Sequence, residues 1–335
     1  MTPVTATVLS GFDDPVASSA VWERVATASP SSTVFQTWHW QRAWWDTFGR
    51  GKLLLIQAAR ADRPVALAPL FADGGMVFFV GSGGSDYLDF VGDTSDADML
   101  DAILETARAH TLNFVGFRFY LVPDESPTGE RLKAAARRLG LACYDEGDLP
   151  APTLQLHDPP AAGQAAADKA SLVRHERYFR RDGALAAIRL TDGREILPHL
   201  EEFFDQHVAR WVNTPYPSLF CDPTQRAFYR RLCEVADRTG WLRFTRIDWA
   251  GRPIAFHFGS CFAGRYLWYK PSFAVDLARR SPGELLLRQL LLAAIAEGVD
   301  EFDFGIGDEA FKHRFANRVR RVRTWGLYPV GENGP

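Results

Sequence analysis

Two stretches, one in each half of the chain, have nearly the same local sequence. The first is LLLIQAARADRPVALAPLF, from Leu53, and the second is LRFTRIDWAGRPIAFHFGS, from Leu242. Each predicts a strand, a short turn, and then Arg-Pro-(Val/Ile)-Ala opening a second strand, a position that proline tolerates. Each is preceded by a helical pattern and followed by a helix and another strand. The sequence therefore predicts a duplicated α+β unit, and its 335 residues are enough for two.

The remaining patterns place the other elements. In the first half they predict helices at TWHWQRAWWDTF, DADMLDAILETARAH and TGERLKAAARRLG, and strands at MVFFVGSG, YLDFV and NFVGFRFYL. In the second half they predict a basic helix at LVRHERYFRR, two helices within 195–211 and 223–239, a helix at 282–297, and strands at ALAAIRL, RYLWYK, EFDFG and RVRRVRTWGLY. The fold class is thus mixed α/β, of the α+β type.

A stretch rich in proline and alanine separates the two halves. Residues 150–168, PAPTLQLHDPPAAGQAAAD, contain one strand-like patch and are otherwise typical of a boundary. We therefore predict an N-terminal lobe at 1–150, a linker region at 151–168 and a C-terminal domain at 169–335.

The composition indicates a globular protein. Apolar residues make up 47% and charged residues 24%, and the net charge of -3 gives no basic field that would gather nucleic acid. The start MTPVTATVLS has no signal-peptide pattern, and the longest apolar run, LLLRQLLLAAIA, is interrupted by Arg288 and Gln289. The four cysteines are scattered, as is typical of reduced thiols. We expect a cytoplasmic protein without a membrane span.

The stretch ARRSPGELLL marks the start of the long helix in the second half. Ser281 is a good N-cap, Pro282 suits the first helical position, and Glu284 completes an S-x-x-E capping box. A helix start next to Arg280 and Gly283 also favours a bound phosphate, because its free N–H groups point outward. The Glu284 carboxylate would compete for those N–H groups, so the residues alone leave a structural cap and a phosphate site both open.

The histidines and the glycine-rich run give weaker indications. The sequence contains neither an H-E-x-x-H motif nor the Cys/His spacing of a zinc finger, so it does not predict a zinc site. It contains no G-x-S-x-G motif, so it does not predict a serine hydrolase. His257, between two phenylalanines on a predicted strand, is either a core residue or a catalyst sharing a cleft with Tyr269, Lys270 and Asp303. In GSGGSDYLDF, an aspartate replaces the last glycine of G-x-G-x-x-G, so we predict a tight turn whose exit residues line a cleft.

The second half resembles a known family in its series of motifs. RPIAFHFGSCFAGRYLWYKPSFAVDLARRSPGELLLRQLL, followed by D-F-G-x-G and F-K-x-R-F, resembles the GNAT-fold acyltransferases of the CelD/BcsL type, which carry a BioF2-like domain. FQTWHWQRAWWDTFG and VGSGGSDYLDF resemble the first half of that family. The family is related to the Fem-type aminoacyl transferases. The resemblance implies tandem GNAT-like units, each a mostly antiparallel sheet flanked by helices.

The resemblance also implies a donor and a set of site residues. The donor would be acyl-CoA, such as acetyl-CoA, bound where the central strands splay apart, and no metal is expected. Its pyrophosphate would meet Arg280, Ser281, Pro282, Gly283 and Glu284. Asp303 would be the general base for an amine or hydroxyl, unless it forms a buried ion pair with Lys312. The further candidates are, for catalysis, His257, Tyr269 and Lys312, and, for acceptor binding, Asp86, Tyr87, Lys270, Glu309 and Arg314.

These observations predict an N- or O-acyltransferase acting on a polysaccharide precursor, a lipid-linked sugar or a cell-envelope amine. Two alternatives stay open. Leu285 stands where the GNAT consensus [QR]-x-x-G-x-[GA] has glycine or alanine. In addition, two basic runs, 174–181 and 312–323, are either solvated faces or phosphate contacts. An aminoacyl-tRNA donor is therefore one alternative, although nucleic-acid binding is otherwise not indicated. The other alternative is an inactive GNAT scaffold for envelope-synthesis partners.

Overall fold

The computed structural model describes residues 3–27, 29 and 32–331. The chain forms two compact units, one made of the residues up to Pro150 together with those from Arg320 onward, and one running from Ala151 to Val319. The segment from Arg320 onward thus differs from the sequence prediction, which placed it in the C-terminal domain. The reason is that its strand pairs with a strand of the first unit, from Phe117 to Pro123.

The first unit contains a mixed sheet with helices α1 to α4. Its elements are β1 (Val4–Val8), α1 (Ser19–Ala26), α2 (Trp38–Phe48), β2 (Lys52–Arg60), β3 (Arg63–Asp73), β4 (Met76–Phe79), β5 (Val91–Gly92), α3 (Ala97–Ala109), β6 (Gly116–Pro123), α4 (Thr128–Arg138) and β7 (Leu141–Gln155) up to Pro150. The strand order is β1-β2-β3-β4-β6-β13-β7, with β13 (Arg318–Pro329) entering at Arg320 and β5 paired to β3. Strands β4 and β6 form a parallel pair.

The core of the first unit lies between this sheet and α3 and α4. The apolar residues of α3 recur at helical spacing, which directs one face of the helix to the sheet. They pack against alternate residues of the strands, including the fully buried Phe79, Phe117 and Phe119. The predicted strand YLDFV is wrong over most of its length, because only Val91–Gly92 pairs with a neighbouring strand.

The second unit repeats the pattern. Its elements are α5 (Ala162–Ala167), α6 (Ala170–Asp182), β8 (Leu185–Leu190), α7 (Gly193–Ile196), α8 (Leu200–Trp211), α9 (Pro223–Val235), β9 (Leu242–Trp249), β10 (Arg252–Phe262), β11 (Arg265–Phe273), α10 (Pro282–Ala296), β12 (Glu301–Asp303) and α11 (Ala310–His313). The strand order is β7-β12-β11-β10-β9-β8. The pair β11–β12 is parallel, and the other recorded pairs are antiparallel. One face of the sheet carries α10 with α5 and α6, and the other carries α8.

The repeated Arg-Pro-(Val/Ile)-Ala motif has the same structure in both units. Each hairpin turns through two residues with positive φ, Ala61 and Asp62 in one and Ala250 and Gly251 in the other, as a two-residue type I′ turn requires. The register then shifts by one residue just after the proline, between Pro64 and Ala66 in β3 and between Pro253 and Ala255 in β10. The motif therefore encodes a turn followed by a β-bulge.

The segment 151–168 is not a linker. Its first residues complete β7, where Ala151 and Thr153 are fully buried and Thr153 pairs with β12. The alanines of the predicted linker form α5, and their small side chains let this helix pack closely on α10. A Cβ at Gly163 would lie 3.3 Å from Ile295 of α10, so the packing there is tight. Among the described residues, no helix is both long and apolar enough to cross a membrane.

Candidate active site

A cavity of about 230 Å³ lies in the second unit, between the end of β11 and the start of α10. Strands β11 and β12 pair over only three residues each, Arg265–Leu267 with Glu301–Asp303. Beyond that point β12 ends, whereas β11 continues to Phe273. The sheet therefore opens, and the gap is lined by Trp268, Phe273, Leu286, Leu287, Phe311 and Phe315.

The start of α10 lines one end of this cavity. Ser281 precedes the helix in the left-handed conformation, with φ 56°, and its hydroxyl makes no capping hydrogen bond. Its carbonyl oxygen instead accepts the N–H groups of Glu284 and Leu285. The predicted capping box is therefore wrong, because the left-handed backbone does not bring the side chain over the helix end. The helix end has no side-chain cap of its own, and Ser281, Gly283 and Glu284 line the cavity.

The Glu284 carboxylate turns to other partners. It lies 3.2 Å from Nη1 of Arg314 and 3.3 Å from Nε2 of His175. The predicted competition with a bound anion for the helix N–H groups is thus reduced. Arg280, in contrast, is exposed and does not line the cavity. Its guanidinium stacks 4.9 Å above the ring of Tyr178 and 5.6 Å from that of Trp249.

The middle of β11 carries a bulge next to the cavity. Phe258 of β10 pairs with Lys270, but Ser260, two residues on, pairs with Leu267, so β11 has one extra residue. The extra length falls at Trp268 and Tyr269. The Tyr269 N–H, displaced from the regular ladder, donates to Nε2 of His257 at 3.2 Å.

His257 is completely buried beside this bulge. Its ring stacks on those of Trp268 and Tyr266, with ring centres 5.7 Å and 6.3 Å apart. Trp268 lines the cavity, whereas His257 does not. Burial lowers the pKa of His257 to about 3, so the ring is neutral. A Cβ at Gly259 would lie 2.6 Å from His257 Nε2, so glycine leaves room for the ring. The structure therefore places His257 as a support of the bulge, without direct access to the cavity.

The comparisons agree with this architecture. Residues 166–313 match the family model described as an acetyltransferase (GNAT) domain, which covers the CelD/BioF2-like proteins. The second unit thus matches a GNAT acetyltransferase domain over most of its length. The match confirms the resemblance that the motifs indicated. No curated protein sequence matches the chain.

Solved structures match over nearly the whole chain. FemX is 10% identical, with 92% of this chain and 95% of that chain covered and a TM-score of 0.66. L-PGS from Bacillus licheniformis is 14% identical, with 95% of this chain and 93% of that chain covered and a TM-score of 0.57. A tandem GNAT protein from the clavulanic acid biosynthesis pathway is 12% identical, with 98% and 100% covered and a TM-score of 0.50. These likenesses confirm the predicted tandem GNAT fold.

The first unit has a corresponding helix start, at α3, but that start is closed. The Asp96 carboxylate caps it by accepting the N–H groups of Asp98 and Met99, and Nη2 of Arg60 lies 2.6 Å from the same carboxylate. An anion at this position would meet a carboxylate that already occupies the N–H groups. The uncapped helix start is the one in the GNAT domain.

Asp303 lies where β11 and β12 part. It is 2% exposed, and its Oδ1 accepts the N–H of Gly305 at 2.8 Å. Its neighbour Phe302 stacks on Tyr266 within the core beneath α10. Because strand side chains alternate, Asp303 points to the opposite face of the GNAT sheet. It is thus next to the gap but does not line the cavity.

Lys312 is 4% exposed and holds the loop after β12. Its Nζ donates to the Ile306 carbonyl at 2.7 Å and lies 2.9 Å from Oε2 of Glu309. Gly307 gives these groups room, since a Cβ there would come within 2.9 Å of Nζ. These contacts assign Lys312 and Glu309 to the loop of the GNAT domain.

The remaining candidates are divided between the two units. Tyr269 is 9% exposed, and Nζ of Lys270 lies 3.8 Å from its ring centre. Asp86 and Tyr87 belong to the first unit. Tyr87 is buried there, and its ring centre lies 5.9 Å from that of Phe35. The nearby Asp89 is held by hydroxyls of α4 and its preceding turn. Within the described ranges, no group of three or more His, Cys, Asp or Glu side chains is arranged to hold a metal.

One charged residue of the cavity wall was not predicted. Arg210, in the last turn of α8, lines the cavity beside Pro271 and Phe273. In the sequence it is a basic residue at a helix C-terminus, which is typical of any helix. Only the fold shows that the end of α8 reaches the end of β11.

Proposed function

We propose that the protein is an acyl-CoA-dependent N- or O-acyltransferase. The observation that carries the proposal is the cavity that joins the gap between β11 and β12 to the uncapped start of α10, within a GNAT domain. Its apolar walls suit a thioester and its pantetheine arm. The positive end of the α10 dipole, at the helix start beside Gly283, suits the diphosphate. Because acyl-CoA is a cytoplasmic metabolite, we propose that the protein works there.

In this proposal the donor and the acceptor approach the gap from opposite faces of the sheet. The thioester lies beside the bulge at Trp268, and an amine or hydroxyl attacks it directly from the face that carries Asp303. Asp303 accepts the proton of the nucleophile, CoA leaves as the thiolate and takes up a proton from solvent, and no covalent enzyme intermediate forms. His257 keeps the bulge in shape, and Lys312 keeps the loop after Asp303 in place. Roles for Tyr269 and Lys270 stay predictions.

The acceptor we propose is a polysaccharide precursor, a lipid-linked sugar or a cell-envelope amine. This rests on the resemblance to the CelD/BcsL-type acyltransferases. Asp86 and Tyr87 stay predicted acceptor-binding residues, as does Arg314, which lines the cavity.

A second candidate is an aminoacyl-tRNA donor. Three exposed arginines, Arg174, Arg177 and Arg181, recur at helical spacing along α6, and they line an open surface depression with Tyr178. Such a row is able to follow a phosphate backbone. Binding of tRNA that weakens steeply with salt, together with no response to CoA, would favour this candidate.

The experiment is a thiol-release assay with acetyl-CoA and a panel of amines and sugars. With an acceptor in hand, Asp303→Asn is expected to lower kcat roughly 10²- to 10⁴-fold, the usual contribution of a general base. Asp300→Asn is the matched control, because Asp300 is an exposed carboxylate just before β12. Unchanged turnover in Asp303→Asn would contradict the assignment. No thiol release with any acceptor would favour the inactive scaffold.

A further inference from the structure

Arg210 is a cavity-lining cation without a carboxylate partner among the described residues. Its Nη1 donates to the Pro271 carbonyl at 2.6 Å. Its guanidinium packs 4.6 Å from the Phe273 ring centre and 4.9 Å from that of Trp211. One neutral carbonyl is a small share of what a guanidinium with five N–H groups can bind.

Other half-buried arginines of the same unit are paired. Arg243 lies 2.8 Å from the Glu297 carboxylate, and Arg246 lies 2.7 Å from that of Asp248. Arg288 pairs with Glu176. Burial lowers the pKa of Arg210 to about 10, and no neighbouring charge opposes this effect. Buried charges are normally paired, so Arg210 lacks the counter-ion that its environment calls for.

The other charged and titratable groups nearby do not supply that counter-ion. Glu284, on the cavity wall, is engaged by Arg314 and His175. On the other side, burial and the positive charges of Arg210 and Lys270 lower the pKa of His207 to about 3 and leave it neutral. His207 is itself bonded to Ser218 at 2.8 Å. Neither Glu284 nor His207 thus supplies a negative charge to Arg210.

We propose that Arg210 binds a phosphate oxygen of the acyl donor, as a partner of the α10 start. The Arg210 guanidinium and the α10 start both lie against the Phe273 ring. The guanidinium packs on this ring, and a Cβ at Gly283 would lie 3.2 Å from it. The planar guanidinium fork is suited to two oxygens of one phosphate. This inference rests on the proposed function, and it adds a diphosphate contact from α8, outside the loop that precedes α10.

The experiment compares two ligands by isothermal titration calorimetry. CoA carries the phosphates, and S-acetyl-pantetheine has the same arm without them. Arg210→Gln keeps a donor for the Pro271 carbonyl, and Arg210→Lys keeps the charge without the fork. The control is Arg252→Gln, which removes an exposed arginine at the start of β10 that pairs with Asp276. Equal melting temperatures would show that the variants are folded.

We expect Arg210→Gln to weaken CoA roughly ten- to a hundredfold, the usual effect of a lost charged hydrogen bond, and to leave S-acetyl-pantetheine unchanged. The CoA affinity of Arg210→Lys should lie between those of the wild type and Arg210→Gln, and the affinity of Arg252→Gln should equal that of the wild type. An unchanged dissociation constant for CoA, or an equal loss for both ligands, would overturn the inference and leave the proposed function standing.

If wild-type protein does not bind CoA, the proposed donor is wrong, and inorganic pyrophosphate then tests Arg210 itself. Binding of pyrophosphate that is lost in Arg210→Gln would support an anion site for another phosphate-bearing donor. Absence of pyrophosphate binding by the wild type, or equal binding by the variant, would overturn the inference.

Discussion

Replacing His257 with glutamine should make the protein more resistant to acid relative to its own stability at pH 7. The ring is completely buried, and burial holds its pKa at about 3, whereas an unfolded chain has a histidine pKa of about 6.5. Below pH 6.5 the unfolded state binds a proton that the folded state does not. Because the folded pKa is depressed, stability is lost as the pH falls from 6.5 toward 3.

The magnitude follows from the two pKa values. For one such histidine, the free energy of unfolding falls by about 2.5 kcal/mol between pH 7 and pH 4.5. His207, also buried with a pKa of about 3, adds a similar loss that both proteins share. The shared carboxylates likewise cancel when the variant is compared with the wild type. Glutamine is neutral throughout, and its side-chain oxygen is able to accept the Tyr269 N–H.

The assay is urea unfolding at pH 7, 6, 5 and 4.5 for both proteins, with free energies from linear extrapolation. We expect the wild type to lose about 2.5 kcal/mol more than His257→Gln over this interval. Equal losses in the two proteins would refute the reasoning, since His257 would then titrate alike in the folded and unfolded states.

Two further substitutions test the site. Gly259→Ala places a methyl group against the His257 ring and the Leu267 carbonyl. Because this overpacks the site and breaks the Tyr269–His257 hydrogen bond, we expect the free energy of unfolding in urea to fall by about 2–4 kcal/mol. A variant as stable as the wild type would contradict this expectation. The Cβ of Gly283→Val would contact only the Phe273 ring, at 3.2 Å, so we expect a small change in melting temperature. CoA binding measured by calorimetry should weaken at least roughly tenfold, because the side chain obstructs the α10 start. Undiminished CoA affinity in that variant would place the donor elsewhere.

Much of the fold could be predicted because local chemistry repeats. The Arg-Pro-(Val/Ile)-Ala motif predicted two equivalent hairpins, and both form with the same turn and bulge. The failures have physical causes. Segment 151–168 has a linker's composition, but its alanines pack on α10 because they are small. The Ser281 capping box failed because a left-handed residue before the helix moves the hydroxyl away, and no local pattern predicts that conformation for serine.

The site could be predicted only in part. Ser281, Gly283 and Glu284, which the family resemblance predicted as contacts of the donor's pyrophosphate, line the cavity. His257 was a reasonable candidate from its type, but its neighbours bury it completely. Arg210 could not be predicted, since its importance depends on which carboxylates are absent around it in space.

The most direct test of the central claim is a thermal shift of the purified protein with a panel of acyl-CoAs, with CoA and tRNA as controls. A ligand at a hundred times its dissociation constant should stabilise the folded state by about 2.7 kcal/mol, which is a clear rise in melting temperature. We predict such a rise with at least one acyl-CoA in the wild type and its loss in Gly283→Val. No rise with any CoA, or a rise with charged tRNA alone, would contradict an acyl-CoA-dependent transferase.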